Sequence, residues 1–446
     1  MALKPWHRAV EPRDDLKSGK PMDASEFAVH LDKVRDESAP DDYKKPERFF
    51  ERTYLTDNLA EFAGETCRRL SGEKTETSAV FNMTTQFGGG KTHALTMLWH
   101  LARNGPKSKD WHGVRKILEK GGIKSVPQAA VGVFVGTEFD SLRGRGGDNG
   151  EPLRKTPWGE LAWQIGGKES FKHVEQHDKE FTEPKGDVIR AMLPKDKPCL
   201  ILMDEILNYV SSYRKYGHHN SMYNFLQSLS ETARGQSNMV LVVSIPASTL
   251  EYTPQDEVDQ QRFKKMLDRV GKAVVMSSGT DTAEIIRRRL FDWNGIPDEG
   301  RKAAAEFGRW VQDHRQEVPS WCPIDHAQEA FEAAYPFHPM VLSVFERKWQ
   351  VLPRFQQTRG ILRLLALWVS KAYQDGCNGI AKDPIIGLGT APLDDALFRA
   401  AVFEQLGESK LEAAVVTDII SKKTSNATRL DREAVDEVKN ARLHRK

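Results

Sequence analysis

One short segment constrains this chain more than any other: Thr85-Gln86-Phe87-Gly88-Gly89-Gly90-Lys91-Thr92. The apolar run before it, Ser78-Ala79-Val80-Phe81-Asn82-Met83, predicts a β-strand, and the run after it, Ala94-Leu95-Thr96-Met97-Leu98-Trp99-His100-Leu101, predicts a helix. Glycines allow successive backbone N–H groups to turn inward around an anion. A helix N-terminus behind them adds partial positive charge. Strand, glycine loop, Lys-Thr and helix in that order form a phosphate-binding loop. On this reading Gln86, Phe87, Gly88, Gly89, Gly90, Lys91, Thr92 and His93 hold ATP. Lys91 reaches the β- and γ-phosphates and the Thr92 hydroxyl ligates Mg²⁺. Thr85 occupies the place where the usual pattern has its first glycine.

Four more β-rich apolar runs follow: Ala129–Val135, Cys199–Met203, Met239–Ser244 and Ala273–Met276. Near-continuous apolar strands alternating with helical segments predict an α/β fold with a parallel five-stranded sheet covered by helices on both faces. A glycine-rich loop, Leu142 to Gly150, opens an insertion at about 140–195 between the second and third runs. Its Arg143 and Arg145 suit either contact with phosphate or nucleic acid, or a solvated loop. Thr156 is placed to cap a helix with Pro157 in its first turn, and Thr56 or Asp57 to cap one running to about Leu70. The aromatics Phe49, Phe50 and Tyr54 either line an adenine pocket or pack against the sheet. From about Asp281 the pattern becomes helical, with Arg287-Arg288-Arg289 read as a solvated face. The expected organisation is an N-terminal extension at 1–45, a nucleotide-binding core at 46–280, a helical lid at 281–376 and a helical segment at 377–446. The sequence ends within a charged helical stretch, Arg432 to Lys446, which suggests the front part of a longer protein.

A phosphate-binding loop calls for an acid at the end of another strand. The third run supplies Leu200-Ile201-Leu202-Met203-Asp204-Glu205, a Walker B pattern, with Asp204 at the Mg²⁺ and Glu205 as general base toward the attacking water. Asp204 follows Lys91 by 113 residues, a spacing that the intervening strand and the insertion account for.

Composition narrows the class without naming the chemistry. The chain of 446 residues is 39% hydrophobic and 29% charged with a net charge of +2, so charge alone argues neither for nor against nucleic acid. No apolar run approaches the ~20 residues of a membrane span, and the N-terminus has no apolar signal core. The four cysteines are far apart, as for reduced thiols in a cytoplasmic protein. Cys322 and His326 have helical ligand spacing but no second pair, which speaks against a structural zinc.

Taken together, these motifs resemble the AAA+/STAND-like branch of the P-loop NTPases, the ASCE class that carries its own catalytic glutamate. The chain also resembles the N-terminal part of a family of large ATP-binding proteins, a domain of unknown function associated with helicase–methyltransferase–ATPase antiphage islands. That resemblance rests on Pro46–Thr56, Phe87–His93, Trp158–Trp163, Tyr335–Pro339 and Thr358–Arg363. It implies sensor or finger roles for several residues. Ser244, at the end of the fourth run, takes the sensor 1 position, or is a plain strand-end hydroxyl. Arg262 and Arg269 are candidates for an arginine finger offered to a neighbouring subunit, or are surface arginines. Arg359 is a candidate sensor 2 residue. The finger and sensor candidates suit a homo-oligomer, the lack of a long apolar run speaks against a membrane, and the resemblance further implies a methyltransferase and a helicase beside it, with DNA as a possible partner. The leading expectation is a Mg²⁺-dependent ATPase that remodels a protein–DNA complex in phage defence. The alternative is a nucleotide-gated switch or assembly scaffold with little turnover. A small-molecule phosphotransferase is a third reading, but no acceptor pocket is evident in the sequence.

Overall fold

The computed structural model describes residues 3–19, 29–85, 90–246, 253–276, 281–318, 324–345, 357–393 and 395–406. They fall into two units. One is built from residues 29–276, the other from residues 3–19 together with 281–406.

The first unit is organised by a five-stranded sheet: β1 (Val80–Thr85), β2 (Ala130–Val135), β3 (Cys199–Asp204), β4 (Met239–Pro246) and β5 (Lys272–Ala273). The order is β2-β3-β4-β1-β5 and every pairing is parallel. Parallel strands need helical crossovers, so both faces are covered and both must be apolar. The strands alternate accordingly. Phe81, Met83, Val133, Leu200, Leu202 and Val242 pack with helices Asp57–Leu70, Lys91–Asn104 and Val114–Gly121. Val80, Phe134, Ile201, Met203, Leu241 and Val243 pack with helices Pro157–Glu180, Ile206–Tyr213, His218–Gly235 and Pro254–Val270. The chain leaves β1 for the far edge of the sheet and then returns strand by strand. The crossover after β1 therefore lies on one face and the later ones on the other, and the direction of winding reverses beside β1, the place where open α/β sheets form a crevice at their carboxyl ends.

The expected caps are present. Thr56 accepts a hydrogen bond from the Leu59 N–H at 3.0 Å and opens helix Asp57–Leu70. Thr156 accepts from the Gly159 N–H at 3.1 Å with Pro157 at the first helical position. The fifth run departs from expectation. Only Lys272 and Ala273 form a ladder strand, although Val274 still donates to the Asn82 carbonyl at 3.0 Å. This is an edge strand with a partner on one side, and its Val275 is 60% exposed.

Two arginine readings change. Arg145 is not a solvated loop residue. It forms a bidentate pair with Asp32, one arm at 2.8 Å, and comes within 3.6 Å of Glu160. Glu160 is buried and also accepts from Arg154 at 2.9 Å and from Gln164 at 2.7 Å. Gln164 in turn clamps the free edge of β2, accepting from the Val133 N–H at 2.7 Å and donating to the Val133 carbonyl at 2.9 Å. Phe49 and Phe50 are core side chains, 1% and 2% exposed, and so are not available to stack on a base.

The second unit is helical: Thr282–Leu290, Asp298–Asp313, Ala327–Ala334, Pro339–Val344, Gln357–Cys377 and Ala396–Leu406. Residues 3–19 belong to it. Trp6, Val10 and Leu16 join a core with Leu290, Phe291, Phe307 and Val369, and the Trp6 N–H donates to the Asp383 carbonyl at 3.0 Å. Arg287 is not part of a solvated face. It is buried, donates to the Ala333 carbonyl, pairs with Glu284 and lies 5.0 Å over the Trp293 ring. Among the described residues no helix is long and apolar enough to cross a membrane.

Removing the shared carboxylate of the Arg145–Glu160–Arg154 network breaks the buried Arg154–Glu160 pair and leaves Arg154 with the half-exposed Glu151 as its remaining carboxylate. Glu160→Ala is expected to lower unfolding free energy by about 3 kcal/mol, measured by urea titration, while Glu169→Ala, exposed and just past the helix break at Gly167, stays close to wild type.

Candidate functional site

The carboxyl ends of β1, β4 and β3 lie side by side, and the chemistry gathers there. The register sets Met83 opposite Ser244 and Met203 opposite Val243, so Ser244 and Asp204 reach the same level of the sheet. Alternation along β3 and β4 puts both on the face that carries helix Lys91–Asn104. The result is a 2.7 Å hydrogen bond from the Thr92 hydroxyl to Asp204 Oδ2.

Gly90 is the N-cap of that helix, at φ +78°, and Lys91 and Thr92 form its first turn. Gln86, Phe87, Gly88 and Gly89 lie outside the described residues. Lys91 is buried, which lowers its pKa, while the charges of Glu205 and Asp204 oppose that shift. His93 faces the segment before the sheet. Its Nε2 lies 2.9 Å from Thr53 Oγ1 and its ring sits 4.5 Å from that of Phe49.

Glu205 follows β3 in a left-handed conformation, φ +54° and ψ +35°, and opens helix Ile206–Tyr213. A glutamate is uncommon there, and such strain is kept where surrounding structure enforces it. Two contacts do so. Gly136, just past β2, donates its N–H to the Asp204 carbonyl at 2.9 Å, and a Cβ at Gly136 would stand 2.1 Å from the Glu205 carbonyl oxygen. Asn208 Nδ2 donates to Glu205 Oε2 at 3.0 Å. Burial first, then the neighbouring Asp204 charge, raise the Glu205 pKa to about 7, with Lys91 pulling the other way. The Ser244 hydroxyl is fully buried and has no hydrogen-bond partner among the described residues. Such a group is an exception in a native fold and marks a place for something polar.

The chain therefore brings together Lys91, Thr92, Asp204, Glu205 and Ser244, with His93 anchored on the same helix. It does not add the arginines. Arg262 donates to Asn220 at 2.8 Å and lies 3.8 Å over the Tyr223 ring, and Arg269 lies 3.9 Å from Glu231. Both are exposed on helix Pro254–Val270. Arg359 is in the first turn of helix Gln357–Cys377, in the other unit, and its side chain lies outside the described residues. Asn208, Gly136 and Thr53 were not singled out from the sequence. Asn208 carried a usable signal, standing three residues after a glutamate at a helix start. Gly136 carried a weaker one, a glycine directly after an apolar strand.

A family model described as the DUF499 N-terminal domain matches residues 7–281, more than half of the chain, and the chain belongs to that family. No curated protein matches it.

A carboxylate whose pKa is raised on folding lowers stability above its unfolded value, because the native state must give up a proton it holds more tightly. The Glu205 penalty sets in above the ordinary glutamate range near 4.5 and is complete above about 7. Glu205→Gln is therefore expected to be more stable than wild type, with a gain that grows from pH 5 to pH 8 in paired denaturation curves.

Proposed function

We propose that this member of the DUF499 N-terminal domain family is a Mg²⁺-dependent ATPase of the AAA+-like P-loop class. The observation that carries the reading is the 2.7 Å bond between Thr92 and Asp204, made across 112 residues and flanked by buried Lys91 and by Glu205. A Lys-Thr pair on a helix N-terminus, bonded to the acid of a neighbouring strand end, fits a phosphate chain and its cation better than it fits a packing role. The strand order, with β4 between β1 and β3, supports the same class. The donor set fits Mg²⁺, since a hydroxyl and a carboxylate are hard oxygen ligands. Thr92 and Asp204 would hold the ion, whose role when bound is to neutralise charge on the phosphate oxygens.

The chain's own residues supply the rest. Lys91 offers a fixed positive charge to the β- and γ-phosphates. Glu205 in its ionised form accepts a proton from the attacking water. With its pKa at about 7, it titrates where a base must be both available and strong enough. Asn208 and the Gly136 contact hold the carboxylate and its backbone in place. Ser244, level with Asp204 and on the same face of the sheet, has no hydrogen-bond partner among the described residues and could bond a γ-phosphate oxygen or the water. Arg262 and Arg269 remain available to a neighbouring subunit, which suits a homo-oligomer. DNA, and methyltransferase and helicase partners in phage defence, follow from the family resemblance, as does remodelling of a protein–DNA complex as the work done, while a cytoplasmic location follows from the widely spaced cysteines. The exposed arginines also favour a second reading, a nucleotide-gated switch or scaffold that turns over only when a partner completes the site.

Steady-state hydrolysis and nucleotide binding by the purified chain separate these readings. Lys91→Ala is expected to weaken ATP binding at least tenfold. Glu205→Gln keeps binding and loses turnover by a factor on the order of 10² or more. Normal hydrolysis by the Gln variant would remove Glu205 from its role, and tight binding without turnover in wild type would favour the switch. Ser244→Ala is expected to lower turnover severalfold with no loss of thermal stability, because the hydroxyl it deletes has no partner among the described residues.

A further inference from the structure

Helix Ile206–Tyr213 begins at Glu205 and runs about 12 Å to a group of aromatic rings that hydrolysis does not use. His218 lies nearly parallel to Phe181, with centroids 4.9 Å apart and planes at 21°, and to Tyr213, at 5.8 Å and 16°. Tyr216 is 6.3 Å from Tyr213 and 6.0 Å from His218. The group is held from below. The Tyr213 hydroxyl donates to Asp140 at 3.0 Å and accepts from the Ser141 N–H at 2.9 Å. Burial lowers the His218 pKa, so near pH 7 its ring is neutral and acts as a flat surface. Tyr216 is the outward member, 48% exposed, with the Lys215 ammonium 4.9 Å from its ring centroid.

A part-polar group of rings whose outermost member, tilted 39° and 43° against its neighbours, carries an exposed cation over one face and leaves the other for a ligand matches one class of partner. Unpaired bases have π-faces to lay on a ring, and each base brings a phosphate. Duplex bases already spend their faces on each other. A protein partner seated here would be expected to meet a wider apolar core than one exposed tyrosine. We propose that this stack is a platform for single-stranded nucleic acid, with a base on Tyr216 and a backbone phosphate at Lys215. Binding at the platform stands by itself, whereas its influence on turnover rests on the ATPase reading, because the same helix carries Glu205 at its start.

The test is fluorescence anisotropy of a labelled thirty-nucleotide oligo-dT with the full chain, at several salt concentrations and without ATP. Wild type is expected to bind the single strand more tightly than a duplex of equal length. Tyr216→Ala weakens binding about tenfold and Tyr216→Phe restores it, since stacking needs the ring and not the hydroxyl. Lys215→Ala lowers the slope of log affinity against log salt by about 0.7. Lys91→Ala keeps oligonucleotide binding while losing ATP, so failure of the hydrolytic reading and failure of the platform are separately visible. No binding by wild type, equal affinity for duplex, or unchanged affinity in Tyr216→Ala would each overturn the assignment; the last would leave the patch to a protein partner.

Discussion

The hydrogen bond from Thr92 to Asp204 ties the helix that follows β1 to the end of β3, across the intervening β4. β4 lies between β1 and β3 and sets the two strand ends one strand-width apart on either side of it. That gap is what Ser244 occupies at its floor. The apolar alternation that buries both faces of the sheet also decides that Asp204 and Ser244 emerge on the side of helix Lys91–Asn104. Packing and chemistry therefore depend on a single register.

Much of this was readable in advance because it is local. Strands β1 to β4 are continuous apolar runs, and helix caps at Thr56 and Thr156 are single-residue signals. Lys91, Thr92, Asp204 and Glu205 were legible because strand–loop–helix punctuation surrounds them. What escaped depends on contacts between distant segments. Arg145 and Arg287 look like surface residues in any window of ten, and only the approach of Asp32, Glu160, Glu284 and the Ala333 carbonyl makes them internal. The place of residues 3–19 among the later helices is likewise invisible to periodicity, since Trp6, Val10 and Leu16 are too widely spaced to form a pattern. The order of the strands has no local signature at all.

Several costs to the fold coincide at Glu205. Its left-handed backbone, the absent Cβ at Gly136 and the amide of Asn208 confine both its main chain and its carboxylate. Burial beside Asp204 then makes the ionised form unfavourable in the folded protein. Each of these terms would be relieved by a smaller or uncharged residue. Their coincidence at one position, one residue beyond the acid that bonds Thr92, is more informative than any of them alone.

The Gln164 amide has a consequence at the opposite edge of the sheet. Its oxygen and nitrogen engage the N–H and carbonyl of Val133, presenting to the strand the same pair of atoms that a peptide group would. The amide takes up, at mid-strand, the spot a sixth strand's backbone would need. A side chain tied into the Glu160 network thus terminates the sheet, and β2 offers no continuous template on which another chain could add itself.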